Sequence, residues 1–233
     1  MLKNTGAEGR DGISTKILKQ FRNVLSAPLR HVFNLSIKSG IYPSPWKTGV
    51  ITPLPKSGDL SIPRNWRPVV INPSASKVLE GVLQKQLQTH MEQFDIYSPS
   101  QHAYRRGRSC ESALVELDTI IQKARNEGKV VALVLTDMSA AFNLIKKDIL
   151  LSQLQVYGFD EKARKLVGSY LSNRRTKCKV KGCVSNEVEL DSGVGEGEAP
   201  NNTHATQGLS LIHISEPTRL RRSGDCGFCM KKK

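Results

Sequence analysis

The 233-residue sequence has few cysteines, few aromatic residues and no long apolar run. Its five cysteines are odd in number and irregularly spaced, which indicates reduced thiols and not a disulfide framework. No run of about 18 apolar residues occurs, so the sequence offers no candidate for a membrane-spanning helix. Because residues 1–6 lack the apolar core of a signal peptide, we expect a nuclear or cytoplasmic protein that is not secreted.

Negative charge is also scarce, since 21 acidic residues face 35 Lys and Arg, which gives a net charge of +14. Such an excess favours a polyanionic partner, either nucleic acid or an acidic membrane surface. A basic protein that is merely soluble is the alternative. The basic residues are spread among loops and do not line one amphipathic face, so a membrane partner is not expected.

Apolar periodicity predicts several helices. Residues 11–38 are expected to form one or two helices broken near Pro28, and Gly40 is expected to end the second. A helix over 76–93 should bury Val82 among its inner-face residues, and one over 109–127 should bury Leu114. Two short helices are expected at 146–157 and 160–172.

Strands and loops fill the intervals. Strands are predicted at the ranges 48–54, 130–135, 176–181 and 186–190. Residues 43–46 are expected to form an extended linker, 63–73 an irregular segment bounded by prolines, and 101–109 a basic loop. The mixed order of helices and strands implies an α+β fold.

Asp137 follows the apolar run 130–135, where a buried strand would reach the surface. A carboxylate at that place can hold Mg²⁺, which proteins bind through few carboxylates together with substrate phosphates. Phe142 comes five residues later, after a turn of small residues. An Asp after a strand also commonly caps a turn or the next helix, and the local pattern alone leaves both interpretations open.

Ordered blocks along the chain resemble the reverse transcriptase domain of non-LTR (LINE-like) retrotransposons. Before Asp137 they are GRDGI at 9–13, FNLSIKSG at 33–40, PWK at 45–47, ITPLPKSGD at 51–59, NWRPV at 65–69, SKVLE at 76–80 and SQHAYRRGRS at 100–109. The block around Asp137 resembles the first catalytic motif, and DSGVGEG at 191–197 resembles the Gly-rich second palm motif. Each block alone is weak, whereas their shared order and spacing are specific.

The resemblance implies a right-hand polymerase with fingers and a partial palm. A helical extension would occupy 1–47, the fingers and partial palm 48–200, and a tail outside the family 201–233. It also implies an RNA template, a DNA primer, dNTP substrates and two-metal nucleotidyl transfer with Mg²⁺ or Mn²⁺.

The family also implies roles for individual residues. Asp137 would bind metal, the Met138 carbonyl would lie near the nucleotide phosphates, and Phe142 would exclude a 2′-hydroxyl. Arg67 would grip the triphosphate through its guanidinium, with Lys56 as a weaker phosphate contact. Outside this resemblance, Phe142 fits a core aromatic and Arg67 a solvated arginine.

Template contacts are implied for a second group of residues, namely Arg105, Arg106, Gly107, Arg108, Gly193 and Gly197. The three arginines surround a glycine at which backbone can approach a nucleic-acid strand. A solvated charge cluster is the alternative for the arginines, and ordinary turns are the alternative for Gly193 and Gly197.

The sequence departs from the family in three respects. Asn143 stands where a second Asp is usual, and Glu196 replaces a glutamine. No Asp-Asp pair occurs in the chain, although the family carries its remaining catalytic carboxylates in an aromatic-Ala-Asp-Asp hairpin. Because one carboxylate cannot hold two divalent ions, the chain as written is expected not to polymerise DNA. A non-catalytic RNA-binding remnant of a decayed element is the alternative function.

The final segment has a different character. Residues 209–219 (LSLIHISEPTR) match the conceptual translation of the transposase-end adapter of sequencing libraries. Residues from about 209 onward are therefore expected to be foreign to the family. Without this tail the net charge is still +10, so the argument for a polyanionic partner does not depend on it.

Overall fold

Six helices and seven strands are distributed over the part of the chain that the computed structural model describes, which is residues 6, 8–135, 146–180, 182–190 and 231–232. The helices are α1 Thr15–Gln20, α2 Arg22–Ser39, α3 Ser74–Gln93, α4 Cys110–Asn126, α5 Lys147–Val156 and α6 Glu161–Leu171. The strands are β1 Thr48–Pro55, β2 Trp66–Ile71, β3 Lys129–Val130, β4 Arg175–Val180, β5 Cys183–Val184, β6 Val188–Glu189 and β7 Lys231–Lys232. This mixture confirms the α+β class.

The break between the first two helices lies at Phe21, so the prediction of a break near Pro28 was wrong. Pro28 lies inside α2, where its ring removes the hydrogen bond to the carbonyl of Val24. Val24 is 73% exposed, so water can satisfy this carbonyl. Gly40 ends α2 with φ 68° and ψ 23°, which confirms the predicted stop.

A mixed sheet has the strand order β2-β1-β4-β5, and β6 pairs with β4. β1 is antiparallel to β2 and parallel to β4, where Thr48 lies opposite Arg175. Gly49 permits the close approach of β1 and β2, because a Cβ atom there would lie 2.4 Å from Cγ1 of Val70. The sheet therefore brings the start of β1 beside the start of β4.

Two segments expected to lack regular structure contain some. Residues 43–46 are not an extended linker, because Ser44–Lys47 form a 3-10 turn that begins next to Pro45. Residues 63–73 are not irregular, because the 3-10 turn Pro63–Asn65 leads directly into β2. In both cases a proline fits the observed element, because it lies in the first turn, where its missing N–H costs no hydrogen bond.

The core consists of two clusters on either side of α6. One contains Met91, Tyr97, Leu150, Leu154, Phe159 and Val167, and the other contains Phe33, Tyr42, Leu79 and Leu166. α6 supplies neighbouring residues to both clusters and is capped by Asp160, whose carboxylate accepts the Ala163 N–H at 2.7 Å. Both helices predicted at 146–157 and 160–172 are confirmed.

Two residues predicted to be buried are exposed. Val82 on α3 is 39% exposed, and Leu114 on α4 is 63% exposed. α4 begins with a capping box between Ser109 and Ser112, and Ala124 is its only buried residue. The amphipathic spacing identifies the apolar face of α4, but that face is buried only where another element packs against it. Among the described residues little packs against α4.

The run 130–135 does not form the predicted buried strand. Only Lys129–Val130 are extended in a ladder, antiparallel to Lys231–Lys232, and residues 131–135 have no regular structure. Val134 and Leu135 are 78% and 84% exposed. An apolar run becomes a buried strand only where neighbouring strands pair with it on both edges. No described strand pairs with 131–135.

At the end of the described chain, the strand expected at 186–190 is shortened to β6, and β5 precedes it without having been predicted. Short strands of two residues carry too little pattern to be recognised from sequence. None of the helices in the described ranges is long and apolar enough to cross a membrane.

Candidate nucleotide and template site

The β1–β2 hairpin brings Lys56 and Arg67 to one face. Leu54 pairs with Arg67, and the Lys56 N–H donates to the Asn65 carbonyl at 2.8 Å, which extends the ladder by one step. Residues two apart on a strand share a face, and so do cross-strand partners. Lys56 and Arg67 are therefore diagonal neighbours, as a pair of phosphate contacts requires.

Prolines in this hairpin occupy positions at which no N–H is needed. Pairs along an antiparallel ladder alternate between hydrogen-bonded and non-hydrogen-bonded, and Lys56 with Asn65 is a hydrogen-bonded pair. Counting from it, Pro53, Pro55 and Pro68 all fall at non-hydrogen-bonded positions. β2 is also an edge strand, which leaves Pro68 facing the open side. Pro68 stiffens the strand that carries Arg67, and Pro53 and Pro55 stiffen its partner strand, without weakening the pairing between the two.

Asp59 organises the loop at the end of the hairpin. Its carboxylate accepts the Ser61 N–H at 2.9 Å and the Ser61 hydroxyl at 2.8 Å, and its carbonyl accepts from Asn65 Nδ2 at 2.8 Å. These hydrogen bonds from Ser61 hold the pKa of Asp59 below its ordinary value. The Trp66 indole N–H also donates to the Leu60 carbonyl at 2.9 Å, which anchors the loop next to Arg67.

The side chains of Lys56 and Arg67 are exposed and make no hydrogen bond or ion pair with any described residue. A fixed backbone thus presents two unneutralised cations to solvent. This arrangement can accept an anion, because no carboxylate has to be displaced first.

Arg105 in the basic loop is held by the protein itself. Its Nε and Nη2 each donate to a carboxylate oxygen of Glu92 at 3.1 Å, and Nη1 donates to the Ser98 carbonyl at 3.2 Å. The guanidinium also lies over the Tyr97 ring, 5.1 Å from its centroid. These contacts fasten the loop to the end of α3.

Arg108 is engaged as well. Its Nη1 donates to the Pro99 carbonyl at 2.6 Å and lies 3.8 Å from a carboxylate oxygen of Glu116. His102 connects the loop to α4, with Nε2 2.7 Å from Glu116 and Nδ1 2.7 Å from the Ser112 hydroxyl. Arg108 therefore helps to dock the loop on α4.

Arg106 and Gly107 form the exposed tip of this loop. The Arg106 side chain has no partner among the described residues. Gly107 has φ 73°, and a Cβ atom there would meet nothing within 4 Å. Of the predicted template residues in this loop, these two are the ones exposed to solvent.

Asp137, Met138, Phe142, Gly193 and Gly197 lie outside the described residues. Within the described ranges no group of three His, Cys, Asp or Glu side chains could hold a metal ion. The predicted metal and palm residues stay predictions from the sequence.

Sequence reasoning gave no role to Arg10, although it lies in the GRDGI block. Gly9 packs so closely on Pro73 that a Cβ atom would lie 2.8 Å from its backbone, and the Ser74 hydroxyl donates to the Ile13 carbonyl at 2.7 Å. Arg10 Nη1 then reaches the Thr48 hydroxyl at 3.2 Å. The two glycines of the block were the available signal for such a fixed turn.

Comparison with known proteins agrees with these observations. The family model described as reverse transcriptase (RNA-dependent DNA polymerase) matches residues 54–207. The chain is 30% identical over 195 residues to the retrovirus-related Pol polyprotein from type-1 retrotransposable element R2 of Popillia japonica, covering 82% of this chain and 26% of that protein. It is 25% identical over 190 residues to the probable RNA-directed DNA polymerase from transposon BS of Drosophila melanogaster, covering 81% and 21%.

A third relative, the probable RNA-directed DNA polymerase from transposon X-element of Drosophila melanogaster, is 26% identical over 83% of this chain and 21% of its own length. The chain thus spans between 21% and 26% of the length of these three relatives. The family match and these relatives confirm the resemblance carried by the ordered blocks. The chain belongs to the reverse transcriptase (RNA-dependent DNA polymerase) family, with relatives from non-LTR retrotransposons.

Proposed function

We propose that the chain supplies the fingers and the first catalytic segment of an RNA-directed DNA polymerase of a non-LTR retrotransposon. In this proposal residues 1–47 form a helical extension, 48–200 the fingers and partial palm, and 201–233 a tail, of which the family match takes in only residues 201–207. The substrates are dNTPs on an RNA template with a DNA primer, and the metal is Mg²⁺ or Mn²⁺.

The observation that supports this proposal most is the placement of Lys56 and Arg67 on one face of a proline-stiffened hairpin, where neither has a carboxylate partner among the described residues. A guanidinium and an ammonium at that spacing suit the oxygens of a triphosphate. The hydrogen bonds of Asp59 and Trp66 anchor the loop of this hairpin, so binding a nucleotide should cost little conformational entropy.

The carboxylate of Asp137 is a suitable ligand for one hard cation shared with nucleotide phosphates. A bound divalent ion would neutralise phosphate charge there. Two-metal transfer needs further carboxylates, and the sequence has no Asp-Asp pair. We therefore expect the chain as written to bind a nucleotide without extending a primer.

Nucleotide binding by the full chain tests the proposal. A fluorescent dNTP should bind with Mg²⁺ and lose affinity about tenfold or more on Arg67→Ala, which removes charge-assisted hydrogen bonds worth about 1.5–3 kcal/mol. Asp137→Asn should remove the dependence on Mg²⁺. Lys85→Ala, which deletes an exposed cation on α3, serves as the control.

Binding that ignores both Mg²⁺ and Arg67→Ala would refute the nucleotide role. Primer extension measured on the same preparation tests whether the chain lacks polymerase activity. Incorporation of dNTP that depends on Mg²⁺ would show that the chain polymerises after all.

A second function, RNA binding without catalysis, has its own support in the exposure of Val134 and Leu135. The segment leading to Asp137 is not packed in a sheet, whereas the basic loop is well anchored on α3 and α4. For this function, RNA affinity in EDTA should equal that in Mg²⁺ and should fall steeply with salt.

A further inference from the structure

A basic cavity lies at the start of β1, at the end of the strand opposite the nucleotide hairpin. It has a volume of about 660 Å³ and is lined by Arg10, Asp11, Ser44, Pro45, Lys47, Thr48, Asn173 and Arg175. β1 runs from Thr48 to Pro55, so at about 3.3 Å per residue the cavity is roughly 25 Å from Lys56. The cavity is therefore separate from the proposed triphosphate contacts.

Positive charge around this cavity is only partly neutralised. A single carboxylate, that of Glu187, pairs with Arg10 at 3.2 Å, Lys177 at 3.4 Å and Arg175 at 3.9 Å. Asp11 is the other acid in the lining, and it caps the local turn by accepting the Ile13 N–H at 3.2 Å. Arg10 and Arg175 remain about half exposed, so their unused donors are open to a ligand.

Lys47 adds a cation that has no acidic partner among the described residues. Partial burial, and next the charges of Arg174 and Lys147, lower the pKa of Lys47. An anion beside this ammonium would relieve that repulsion. Lys147 is itself fixed by donating to the Ser172 hydroxyl at 2.8 Å.

Arg174 provides a buried positive charge behind the cavity. It is only 4% exposed, and its guanidinium donates to neutral acceptors, the Tyr170 carbonyl at 3.3 Å and the Asn72 side chain at 3.4 Å. It also stacks over the Tyr170 ring, 4.7 Å from its centroid. Among the described residues Arg174 has no carboxylate within ion-pair distance, although the buried carboxylate of Glu80 acts on the same Tyr170 side chain. Arg174 therefore adds a positive charge that is only partly offset, and this charge favours an anionic ligand nearby.

We propose that this cavity binds a phosphate group of a nucleic-acid backbone, with Arg10, Lys47 and Arg175 as its cationic contacts. The hydroxyls of Ser44 and Thr48 line the same space and can donate to phosphate oxygens. The inference relies on the proposed function only in taking nucleic acid as the polyanion. The cavity would hold the nucleic-acid strand by its phosphates at a position remote from the nucleotide hairpin.

The test measures binding of the full chain to a labelled 20-nucleotide RNA, and to DNA of the same sequence, in EDTA and without dNTP. Lys47→Gln and Arg175→Gln should each lower the slope of log affinity against log salt by about 1, for RNA and DNA alike. Arg10→Lys should keep the slope because it keeps the charge. The control is Lys162→Gln, an exposed cation at the opposite end of α6, which should leave the slope unchanged.

Equal slopes for Lys47→Gln, Arg175→Gln and Lys162→Gln would overturn the proposal. Because Arg10 and Arg175 take part in ion pairs, thermal unfolding is measured for each variant to check that it folds. If the Arg10 and Arg175 variants are unfolded, the salt slope of Lys47→Gln alone tests the proposal. A second readout is acylation of Lys47, which RNA should slow. If inorganic phosphate protected Lys47 from acylation but RNA and DNA did not, the proposal would also be overturned. Since metal and dNTP are absent, failure here is independent of failure at Arg67.

Discussion

Arg105 and Glu92 are joined by two parallel hydrogen bonds of 3.1 Å each, although they lie 13 residues apart. The pair ties the basic loop to the last turn of α3, and Tyr97 supports it from below the guanidinium. A motif that resembles a nucleic-acid contact in the sequence is thus divided in the structure between an anchoring arginine and a free one, Arg106.

Arg105→Ala should therefore lower stability, and Arg106→Ala should not. The first change removes a partly exposed bidentate pair and a cation–π contact, together worth about 1–2 kcal/mol. Arg106→Ala removes an exposed side chain and should change the free energy of unfolding by less than about 0.5 kcal/mol. Urea unfolding measures both variants, and RNA affinity should respond chiefly to Arg106→Ala. Equal stability losses in the two variants would contradict this division.

Glycine substitutions in the sheet and in a helix should have opposite effects. Gly49→Ala places a methyl group 2.4 Å from Cγ1 of Val70 and should destabilise the chain by about 1–3 kcal/mol. Gly81→Ala lies within α3 and meets nothing within 4 Å, so it should stabilise by about 0.5–1 kcal/mol. The two effects are measured by comparing the thermal unfolding of each variant with that of the unmodified chain. A stabilising Gly49→Ala would mean that β1 and β2 do not approach as closely as described.

The buried Tyr42 and the partly buried Tyr170 predict a loss of stability at high pH. Burial, and next the charge of Glu80, raise the pKa of Tyr42 well above its ordinary value, and burial raises that of Tyr170. The Tyr42 hydroxyl donates to Glu80 at 2.8 Å. Because the unfolded chain releases these protons first, their contribution is complete below pH about 10 and declines as pH rises above it.

Urea unfolding between pH 8 and 11 measures this decline. Tyr42→Phe should make the slope shallower by up to about 1.4 kcal/mol per pH unit, since one titrating phenol is removed. The lowered pKa of Lys47 makes stability rise with pH, which is the opposite effect, because the unfolded chain holds the Lys47 proton to higher pH than the folded chain does. The difference between variant and parent therefore isolates Tyr42, and identical slopes would refute its role.

The sequence predicted best what depends on local chemistry. Gly40 as a helix stop, the helix over 160–172 and the strand from Thr48 follow from local pattern, capping and β-propensity. The strand β2 was missed because its prolines look like breakers, and only the register with β1 shows that they occupy positions that need no N–H. Lys47 and Arg174 were missed because their surroundings come from segments far apart in the chain.

The largest difference between expectation and structure concerns residues 131–135, and one matched pair of substitutions tests it. If Leu135 is 84% exposed, Leu135→Ala should change the free energy of unfolding by less than about 0.5 kcal/mol. Leu150→Ala makes the same truncation at a residue 1% exposed in the core and should cost about 2–5 kcal/mol. A cost above about 2 kcal/mol for Leu135→Ala would show instead that a buried strand precedes Asp137 in solution. Leu135→Lys should in that case prevent folding, whereas an exposed Leu135 predicts that the lysine reduces aggregation and leaves thermal stability unchanged.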